Sequence, residues 1–400
     1  MKVLISDNLP DICKTILESA DIQVVTKTDF TPEELQNEIG VYNGLIIRSS
    51  TQCTPEILES ADKLQAICRA GVGVDNVNVP AATKKGVIVM NTPGGNTTST
   101  AEHAITLLLA LSRNIAQACN SVREGKWERK KFTGTQVSGK VLGVIGLGKI
   151  GKEVAKRAIA LEMKVLGYDP FISNETIPQL NVQLVENLDE IYRQADYITL
   201  HIPLVNDTKH MISKGELEIM KDGVRIINCA RGGIISEDSL YDALVSGKVA
   251  GAAIDVFEKE PPENNKLLEL DNVLPTPHLG ALTKEAQLAV AEDAAKQMVD
   301  VLKNNIIRNA VNMPVQGSED KPYITLTEKM GALLSQLVSG RIRSIDIQYS
   351  GGVSKDNVRP LTDCLLVGLL KDVFDENVNI VNARVLVDER GIKTQNLLME

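Results

Sequence analysis

The chain has 400 residues, more than one hydrophobic core usually supports, so its length predicts two or three domains. Hydrophobic residues make up 43% and charged residues 24% of the chain, as is typical of a soluble globular protein. The formal net charge of -9 argues against a nucleic-acid partner, because binding to a polyanion depends on basic patches.

Targeting signals and cysteine spacing also limit the class of protein. The N-terminus, MKVLISDNLP, lacks the apolar run of a signal peptide, and no stretch reaches transmembrane length, so we expect no membrane partner. No C-x-x-C pair is present among the six cysteines, which favours a reducing compartment over a disulfide framework. We therefore expect a cytoplasmic protein. The cysteines are Cys13, Cys53, Cys68, Cys119, Cys229 and Cys364.

Short β-branched runs alternate with helical patterns over residues 1–94. The predicted strands are KVLISD, IQVVTK, GLIIRSS, LQAICRAG and VIVMNTP. The helical segments TPEELQNEI and TPEILESA both begin with Thr-Pro, which suits the N-cap and first position of a helix. This spacing is typical of parallel βαβ units and predicts a first α/β domain.

A second α/β domain is predicted for residues 95–283. It opens with one long helix, TSTAEHAITLLLALSRNIAQACNSVREG. The strands that follow are KVLGVIGLGKIG, MKVLGYDP, ADYITLHIP, VRIINCARGG, VAGAAIDVF and VLPTPHLG. An amphipathic helix within residues 284–316, TKEAQLAVAEDAAKQMVDVLKNN, is expected to return to the first domain.

Residues 317–400 are predicted to form a small third α+β domain. Its βαβ pattern lies in the segments YITLTEKMGALLSQLVSG, IRSIDIQYSG and PLTDCLLVGLLKDVF.

The best-defined motif is a glycine-rich turn between a strand and a helix. Gly146, Gly148 and Gly151 have the spacing G-x-G-x-x-G, and Asp169 ends the next strand. In this context the glycines admit a pyrophosphate at the helix N-terminus, and the acid accepts a ribose 2′-hydroxyl while repelling a 2′-phosphate. The motif predicts NAD as the cofactor. The alternative is a turn that binds nothing.

Three chemically distinct side chains follow later strands of the second domain. Arg231, Glu260 and His278 are expected at one edge of the sheet, because the carboxyl ends of parallel strands meet there. Hydride transfer from a hydroxy acid needs a cation for the carboxylate, a base for the hydroxyl proton and a group that orients the base. The alternatives are a structural His278, a solvated Glu260 and an Arg231 that caps a helix.

Several segments resemble the NAD-dependent D-2-hydroxyacid dehydrogenase family. They are GLGKIGKEVAKRA, NCARGGIISEDSL, GAAIDVFEKEPP and PHLGALTKEA, and RAGVGVDNVNVPAATKKGVIVMNTPGGNTTSTAEH resembles the phosphoglycerate-oxidising branch. The resemblance covers residues 1 to about 315, and the tail resembles the start of a regulatory domain of that branch. It implies a flavodoxin-like substrate domain, a Rossmann NAD-binding domain and a homodimer or homotetramer.

The resemblance also implies the roles of individual residues. Arg231, Glu260 and His278 are the implied catalytic residues. The implied cofactor contacts are Val72, Gly146, Gly148, Lys149, Ile150, Gly151, Asp169, Ile202, Cys229, Ala230, Arg231, Asp255, His278, Leu279, Gly280 and Ala281. No metal is implied.

The chain departs from the family pattern in two places. Many relatives have Thr where this chain has Val72, so only a backbone contact can be expected there. The sequence also stops at TQNLLME, whereas long members continue, so we expect either a fragment or reduced feedback control.

Cations in the first domain point to a substrate with two anionic ends. Arg48 and Arg69 end two predicted strands that should face an interdomain cleft, and arginine forks suit phosphate. Gly73, in AGVGVDN, offers backbone amides to a carboxylate, and Asn96 is expected to contact the substrate together with Arg231. The basic run Arg129, Lys130 and Lys131 is either part of this site or a solvated turn.

The resulting hypothesis is oxidation of 3-phospho-D-glycerate to 3-phosphohydroxypyruvate with NAD, the first step of serine synthesis. Two alternatives remain. One is reduction of glyoxylate, hydroxypyruvate or another 2-oxo acid, and the other is a non-enzymatic NAD-sensing scaffold similar to corepressor relatives of the family.

Overall fold

The structure is a computed structural model that describes residues 1–172, 181–313, 321–338, 340–350, 355–371 and 378–398. It divides into two compact units. The first comprises residues Met1–Gly95 and Leu288–Glu400, and the second comprises Asn96–Gln287. The domain boundary predicted between residues 316 and 317 lies outside the described residues.

The first unit contains a parallel five-stranded sheet with the order β2-β1-β3-β4-β5. Its strands are β1 (Lys2–Ile5), β2 (Gln23–Thr26), β3 (Gly44–Ile47), β4 (Ala66–Arg69) and β5 (Ile88–Asn91). The helices between them are α1 (Ile12–Ser19), α2 (Pro32–Glu38), α3 (Pro55–Glu59) and α4 (Val79–Lys84). All four residues of β3 are buried, as expected for a parallel strand covered on both faces. This strand order is flavodoxin-like and confirms the predicted fold.

Proline position accounts for the start of the predicted helices of this unit. Thr31 and Glu34 form a capping box at the start of α2, and Pro32 occupies the first helical position. Thr54 and Pro55 occupy the same positions in α3, as the sequence predicts.

The second unit contains a parallel seven-stranded sheet with the order β12-β11-β10-β9-β6-β7-β8. Its strands are β6 (Val141–Ile145), β7 (Lys164–Tyr168), β8 (Val182–Leu184), β9 (Tyr197–Leu200), β10 (Val224–Asn228), β11 (Val249–Ile254) and β12 (Val273–Pro275). Its helices are α5 (Thr97–Ser112), α6 (Ile115–Arg123), α7 (Lys149–Ala160), α8 (Leu188–Gln194), α9 (Lys214–Ile219) and α10 (Glu237–Val245). The doubly wound order confirms the predicted Rossmann domain. The edge strand β8 was missed because it is short and only partly buried.

The predicted long helix at the start of this unit is wrong, because two helices occupy the segment. α5 ends at Ser112, and Asn114 takes a left-handed conformation with φ of 50° before α6 begins. The Ser112 carbonyl accepts the backbone N–H of Thr135, which crosses the end of α5 at this point. The Ser112 carbonyl therefore accepts a tertiary hydrogen bond from Thr135 in place of a hydrogen bond within the helix.

The C-terminal part of the chain begins with α11 (Lys284–Val299) and a π-helical turn, Asp300–Asn304. It continues with α12 (Lys321–Leu337), β13 (Ser344–Tyr349), α13 (Lys355–Leu370), α14 (Ala383–Glu389) and β14 (Lys393–Leu398). β13 and β14 pair in parallel, so a βαβ unit is present. None of the helices in the described part of the chain is long and apolar enough to span a membrane.

The segment YITLTEKMGALLSQL, which the prediction included in the βαβ pattern, is entirely helical within α12. α12 and α13 approach closely at two glycines. A Cβ atom on Gly331 would lie 2.0 Å from the carbonyl oxygen of Leu365, and one on Gly368 would lie 1.9 Å from that of Glu328. This helix pairing, which apolar spacing alone does not reveal, overrides the β propensity of the Tyr-Ile-Thr run.

Candidate active site

The glycine-rich turn joins β6 to α7 in a conformation that only glycine accommodates. Gly146 has φ of 92°, and a Cβ atom there would lie 2.5 Å from the carbonyl oxygen of His201. A Cβ atom on Gly151 would lie 1.9 Å from the carbonyl oxygen of Gly146. At Gly148, by contrast, no described atom lies within 4 Å of the added Cβ. The turn is therefore closed on the protein side and open at Gly148, where a pyrophosphate would approach.

Asp169 is fixed beside this turn. It follows β7, and its Oδ2 accepts the backbone N–H of Leu147 at 2.9 Å. Its Oδ1 accepts the N–H of Phe171 at 2.9 Å. The predicted ribose acceptor and the predicted phosphate turn are thus adjacent, and together they fit a dinucleotide.

Other residues implied at the cofactor site lie around the same strand ends. Lys149 and Ile150 open α7, and Ile202 follows β9 with its Cγ2 2.7 Å from the Cβ position of Gly146. Val72 belongs to the first unit, where its carbonyl accepts the side-chain amide of Asn91 at 2.6 Å.

Arg231 lies in a tight turn after β10. The Asn228 side chain spans this turn, because its Oδ1 accepts the N–H of Ala230 at 3.0 Å and its Nδ2 donates to the carbonyl of Arg231 at 2.9 Å. The guanidinium donates to the carbonyl of Ala230 at 2.7 Å. A Cβ atom on Gly232 would lie 1.8 Å from the carbonyl oxygen of Phe257, so glycine is required directly after the arginine.

Two of the predicted catalytic residues, His278 and Glu260, contact each other. Nδ1 of His278 lies 2.8 Å from Oε2 of Glu260, and the two side chains are 45% and 39% exposed. Oε1 of Glu260 accepts the backbone N–H of Phe257 at 3.2 Å. Burial raises the pKa of Glu260. The hydrogen bond with His278, the charge of that residue and the hydrogen bond from the Phe257 N–H together outweigh burial, so this pKa lies below its ordinary value. The carboxylate is ionised at neutral pH.

The segment after His278 is held by Asp255, which is completely buried at the end of β11. Its Oδ1 accepts the N–H of Leu279 at 2.8 Å, and its Oδ2 accepts the N–H of Gly280 at 2.9 Å. Burial raises the pKa of Asp255, but hydrogen bonds from His103, Thr276 and Leu279 overcome this effect and lower it below its ordinary value. Asp255 is therefore a buried, charged anchor for the segment.

Cys229, His103 and Asp255 each place a ligand-type atom within 4.8 Å of the others, a spacing that also suits a metal ion. Hydrogen bonding accounts for the cluster, because both oxygens of Asp255 already accept N–H groups. Burial, followed by the charge of Asp255, raises the pKa of the Cys229 thiol well above its ordinary value. A thiol in this state is a poor metal ligand, since metals bind the thiolate.

The cations proposed for the substrate belong to the first unit. Arg48 follows β3 and Arg69 ends β4, so the two lie at the carboxyl ends of adjacent strands. Nε of Arg69 donates to the carbonyl of Arg48 at 3.3 Å, and the side-chain amide of Asn76 donates to that carbonyl at 2.8 Å. Burial lowers the pKa of Arg48, and the charge of Asp7 partly offsets this effect.

The remaining predicted substrate residues are placed as follows. Gly73 lies in the loop after β4 of the first unit, and Asn96 is the N-cap of α5 in the second. Asn96 is buried, and its Oδ1 has no hydrogen-bond partner in the described part of the chain. Three basic residues, Arg129, Lys130 and Lys131, form an exposed turn.

Sequence reasoning missed three residues that shape this site. Asn228 is a buried polar side chain that follows the apolar residues Ile226 and Ile227 at the end of β10, which is a usable signal for a turn anchor. Thr276 and His103 both contact Asp255, at 2.6 Å and 3.1 Å. His103 shares a helix face with buried Ser99 and Leu107, and a histidine on a buried stripe was the available signal.

Two segments of the chain match known families. Residues 105–280 match the family described as D-isomer specific 2-hydroxyacid dehydrogenase, NAD binding domain. Residues 320–399 match the D-3-phosphoglycerate dehydrogenase intervening domain.

Relatives that match nearly the whole chain show to which branch of the 2-hydroxyacid dehydrogenases it belongs. A D-3-phosphoglycerate dehydrogenase of Archaeoglobus fulgidus is 46% identical over 405 residues, covering 100% of this chain and 77% of the relative. The human D-3-phosphoglycerate dehydrogenase is 44% identical over 396 residues. This match covers 98% of this chain and 74% of the human protein. This chain belongs to the D-3-phosphoglycerate dehydrogenase family.

Solved structures agree with the family and the fold. A D-lactate dehydrogenase of Aquifex aeolicus, described as a complex with NAD and lactic acid, matches with a TM-score of 0.71 and 28% identity over 79% of this chain and 100% of that one. A glyoxylate reductase matches with a TM-score of 0.72 and 29% identity over 78% of this chain and 98% of that one. As a member of this family, the chain is an NAD-dependent 2-hydroxyacid dehydrogenase, as the sequence predicts.

Proposed function

We propose that this protein oxidises 3-phospho-D-glycerate to 3-phosphohydroxypyruvate, the first step of serine biosynthesis. The observation that carries the proposal is the 2.8 Å contact between His278 and Glu260 in a domain that also holds an intact glycine-rich turn and its acidic partner. Relatives that carry this activity in their names match almost the whole chain, including the intervening domain.

The NAD-binding residues are the glycine-rich turn and Asp169, and bound NAD supplies the acceptor for the hydride that leaves C2. His278 accepts the hydroxyl proton at Nε2, since Nδ1 faces Glu260. The charge of Glu260 stabilises the imidazolium that forms. Positioned proton transfer of this kind contributes roughly 10²–10⁴ in rate.

Arg231 is the proposed contact for the substrate carboxylate and the developing carbonyl. A guanidinium presents a planar fork that suits a carboxylate. The turn that carries it is held by Asn228 and by close packing at Gly232, so the guanidinium starts from a rigid base.

Arg48 and Arg69 are the proposed contacts for the phosphate. They lie side by side at two strand ends, and burial of Arg48 strengthens its attraction for an anion. The backbone at Gly73 and the buried side chain of Asn96 complete the proposed set of substrate contacts.

Turnover with defined substrates tests this proposal against its rivals. Purified protein is assayed with NAD and 3-phospho-D-glycerate, and in the reverse direction with NADH and 3-phosphohydroxypyruvate, glyoxylate or hydroxypyruvate. We expect the phosphorylated pair to give the highest kcat/KM. Faster use of glyoxylate would favour the reductase alternative. NADH binding without turnover on any of these would favour the sensing scaffold.

We further propose that the enzyme acts in the cytoplasm as a homodimer or homotetramer. All six cysteines are free, and all except Cys119 are buried, which suits a reducing compartment. Light scattering coupled to gel filtration gives the assembly size, and a monomer at micromolar concentration would contradict the oligomer.

A further inference from the structure

The loop that carries His278 has a strained backbone. His278 has φ of 54°, in the left-handed region that residues other than glycine rarely adopt. Such a conformation persists only when surrounding contacts enforce it. The contacts that enforce it therefore determine where the proposed catalytic histidine lies.

Asp255 supplies most of these contacts. Its carbonyl accepts the N–H of His278 at 2.9 Å, and its two carboxylate oxygens accept the next two backbone amides, those of Leu279 and Gly280. The hydroxyl of Thr276 also donates to Oδ1, at 2.6 Å. Asp255 thus accepts hydrogen bonds from three successive backbone N–H groups, the first of which belongs to His278, the proposed proton-transfer residue.

α5 in turn holds both Asp255 and the loop. Nε2 of His103 lies 3.1 Å from Oδ1 of Asp255, and the His103 side chain is only 16% exposed. Three residues earlier, on the same face of the helix, the hydroxyl of Thr100 donates to the carbonyl of Gly280 at 3.2 Å. The helix therefore contacts the loop directly and also through the carboxylate.

We infer that His103 is a positioning residue: its ring N–H orients the Asp255 carboxylate, which fixes residues 278–280 in the strained conformation that presents His278 for proton transfer. The nitrogen facing a carboxylate oxygen must donate, so His103 carries its proton on Nε2. The lowered pKa of Asp255 agrees, since a donor to the ionised form favours it. Asp255 is completely buried and the His103 side chain is only 16% exposed, so loss of His103 removes one of the donors that hold a buried charge.

This inference rests on the proposed function for its rate readout, so the test includes a measurement that needs no substrate. The informative pair of variants is His103→Leu, which removes the donor, and His103→Gln, whose amide nitrogen can take the place of Nε2. Loss of a hydrogen bond to a buried charge is expected to lower kcat about tenfold or more in His103→Leu. His103→Gln should recover most of that loss, and KM for the hydroxy acid should change little in both.

A double-mutant cycle separates positioning from simple packing. If His103 acts through Asp255, then His103→Leu should change kcat less than about twofold in an Asp255→Asn background. Equal losses in both backgrounds, or a His103→Leu enzyme within about twofold of wild type, would overturn the inference. His210→Leu is the matched control, because His210 also pairs with a carboxylate, Glu258 at 3.1 Å, but at the surface.

Hydrogen exchange followed by mass spectrometry reports on the loop without any turnover. We expect faster exchange of the Leu279 and Gly280 amides in His103→Leu than in wild type, His103→Gln or His210→Leu. Unchanged exchange would contradict the positioning role even if the protein were inactive on phosphoglycerate. If His103→Leu does not fold, Thr276→Val removes a second donor to the same oxygen and should give the same faster exchange.

Discussion

Nδ1 of His278 lies 2.8 Å from Oε2 of Glu260, so one ring nitrogen contacts the carboxylate and the other, Nε2, is left for the proposed transfer of the substrate proton. The pair combines a base with a charge that compensates its protonation, at the carboxyl end of a parallel sheet where such sites are found. Residues 260 and 278 are brought together by two separate loops, after β11 and after β12.

Glu260→Gln keeps the shape of the side chain but removes its charge. We expect kcat to fall on the order of 10²-fold, because the imidazolium that forms in the reaction loses its compensating charge. NADH affinity, measured by fluorescence titration, should stay within a factor of about two, since the Glu260 side chain forms its hydrogen bonds, within the described part of the chain, with His278 and the Phe257 amide. A kcat near wild type would show that Glu260 is merely a loop acid.

Asp169 should make the enzyme prefer NAD over NADP. Its carboxylate accepts the N–H of Leu147, so a 2′-phosphate placed there would meet a fixed negative charge. We expect wild type to favour NAD strongly in kcat/KM, and Asp169→Asn to reduce the ratio by weakening repulsion. Equal kcat/KM for the two cofactors in wild type would contradict the assignment.

Arg48 and Arg69 can be tested through the phosphate itself. Arg48→Ala or Arg69→Ala should lower kcat/KM for 3-phospho-D-glycerate by roughly tenfold or more, because each removes a charge-assisted contact. Unphosphorylated D-glycerate is the control substrate, and its use should change far less. NADH affinity should also be preserved. A parallel loss with both acids would assign the arginines to the scaffold, in keeping with the contact between Arg69 and the Arg48 carbonyl.

His201 should make stability depend on pH. Burial lowers its pKa to about 4, so the folded protein keeps it neutral while the unfolded chain protonates near its ordinary pKa of about 6.5. The unfolded state binds more protons between these values, so the contribution of His201 to stability is complete above about pH 6.5 and declines as the pH falls to 4, by at most about 3 kcal/mol.

The measurement for His201 is thermal unfolding of wild type and His201→Gln at pH 7.5 and pH 5. We expect the wild type to lose more of its melting temperature between these values than the variant does. Other titrating groups are common to both proteins, so the difference between the two slopes reports His201. Equal slopes would mean that His201 is protonated as easily in the folded state as in the unfolded chain.

Local patterns predicted the two sheets and the glycine-rich turn, because β-branched runs, Thr-Pro helix starts and G-x-G-x-x-G spacing each act over a few neighbouring residues. The break at Asn114 could not be found in this way. It depends on the backbone of Thr135, which reaches Ser112 from 23 positions further along the chain. Long-range contacts of this kind leave no periodic trace in the sequence.

In the candidate site too, local sequence patterns predicted some residues, whereas long-range contacts determine others. His278, Glu260 and Arg231 follow recognisable strand ends, so their chemistry could be inferred before their geometry. The contact between His103 and Asp255 joins positions 152 residues apart, and neither residue type predicts which partner it will have. Similarly, the need for glycine at position 232 arises from the carbonyl of Phe257 and not from the local turn alone.

Arg231 offers the most direct test of the substrate orientation. If its guanidinium holds the carboxylate and polarises the C2 oxygen, both contacts strengthen as the carbonyl develops, so the arginine stabilises the transition state more than the bound substrate. Removal of one such donor typically costs about 3 kcal/mol, or roughly 10²–10³ in kcat, and Arg231→Ala should show this loss.

Arg231→Lys should recover little of that rate, because a point charge on a flexible stem cannot reproduce a two-pronged planar contact. The turn that carries residue 231 should keep its conformation in Arg231→Ala and Arg231→Lys, since the Asn228 side chain binds backbone groups of this turn, at Ala230 and residue 231. NADH affinity should therefore stay close to wild type in steady-state kinetics paired with fluorescence titration. Near-normal turnover in Arg231→Ala would show that the arginine caps the end of a strand, in keeping with its contact with the Ala230 carbonyl, and has no part in the chemistry.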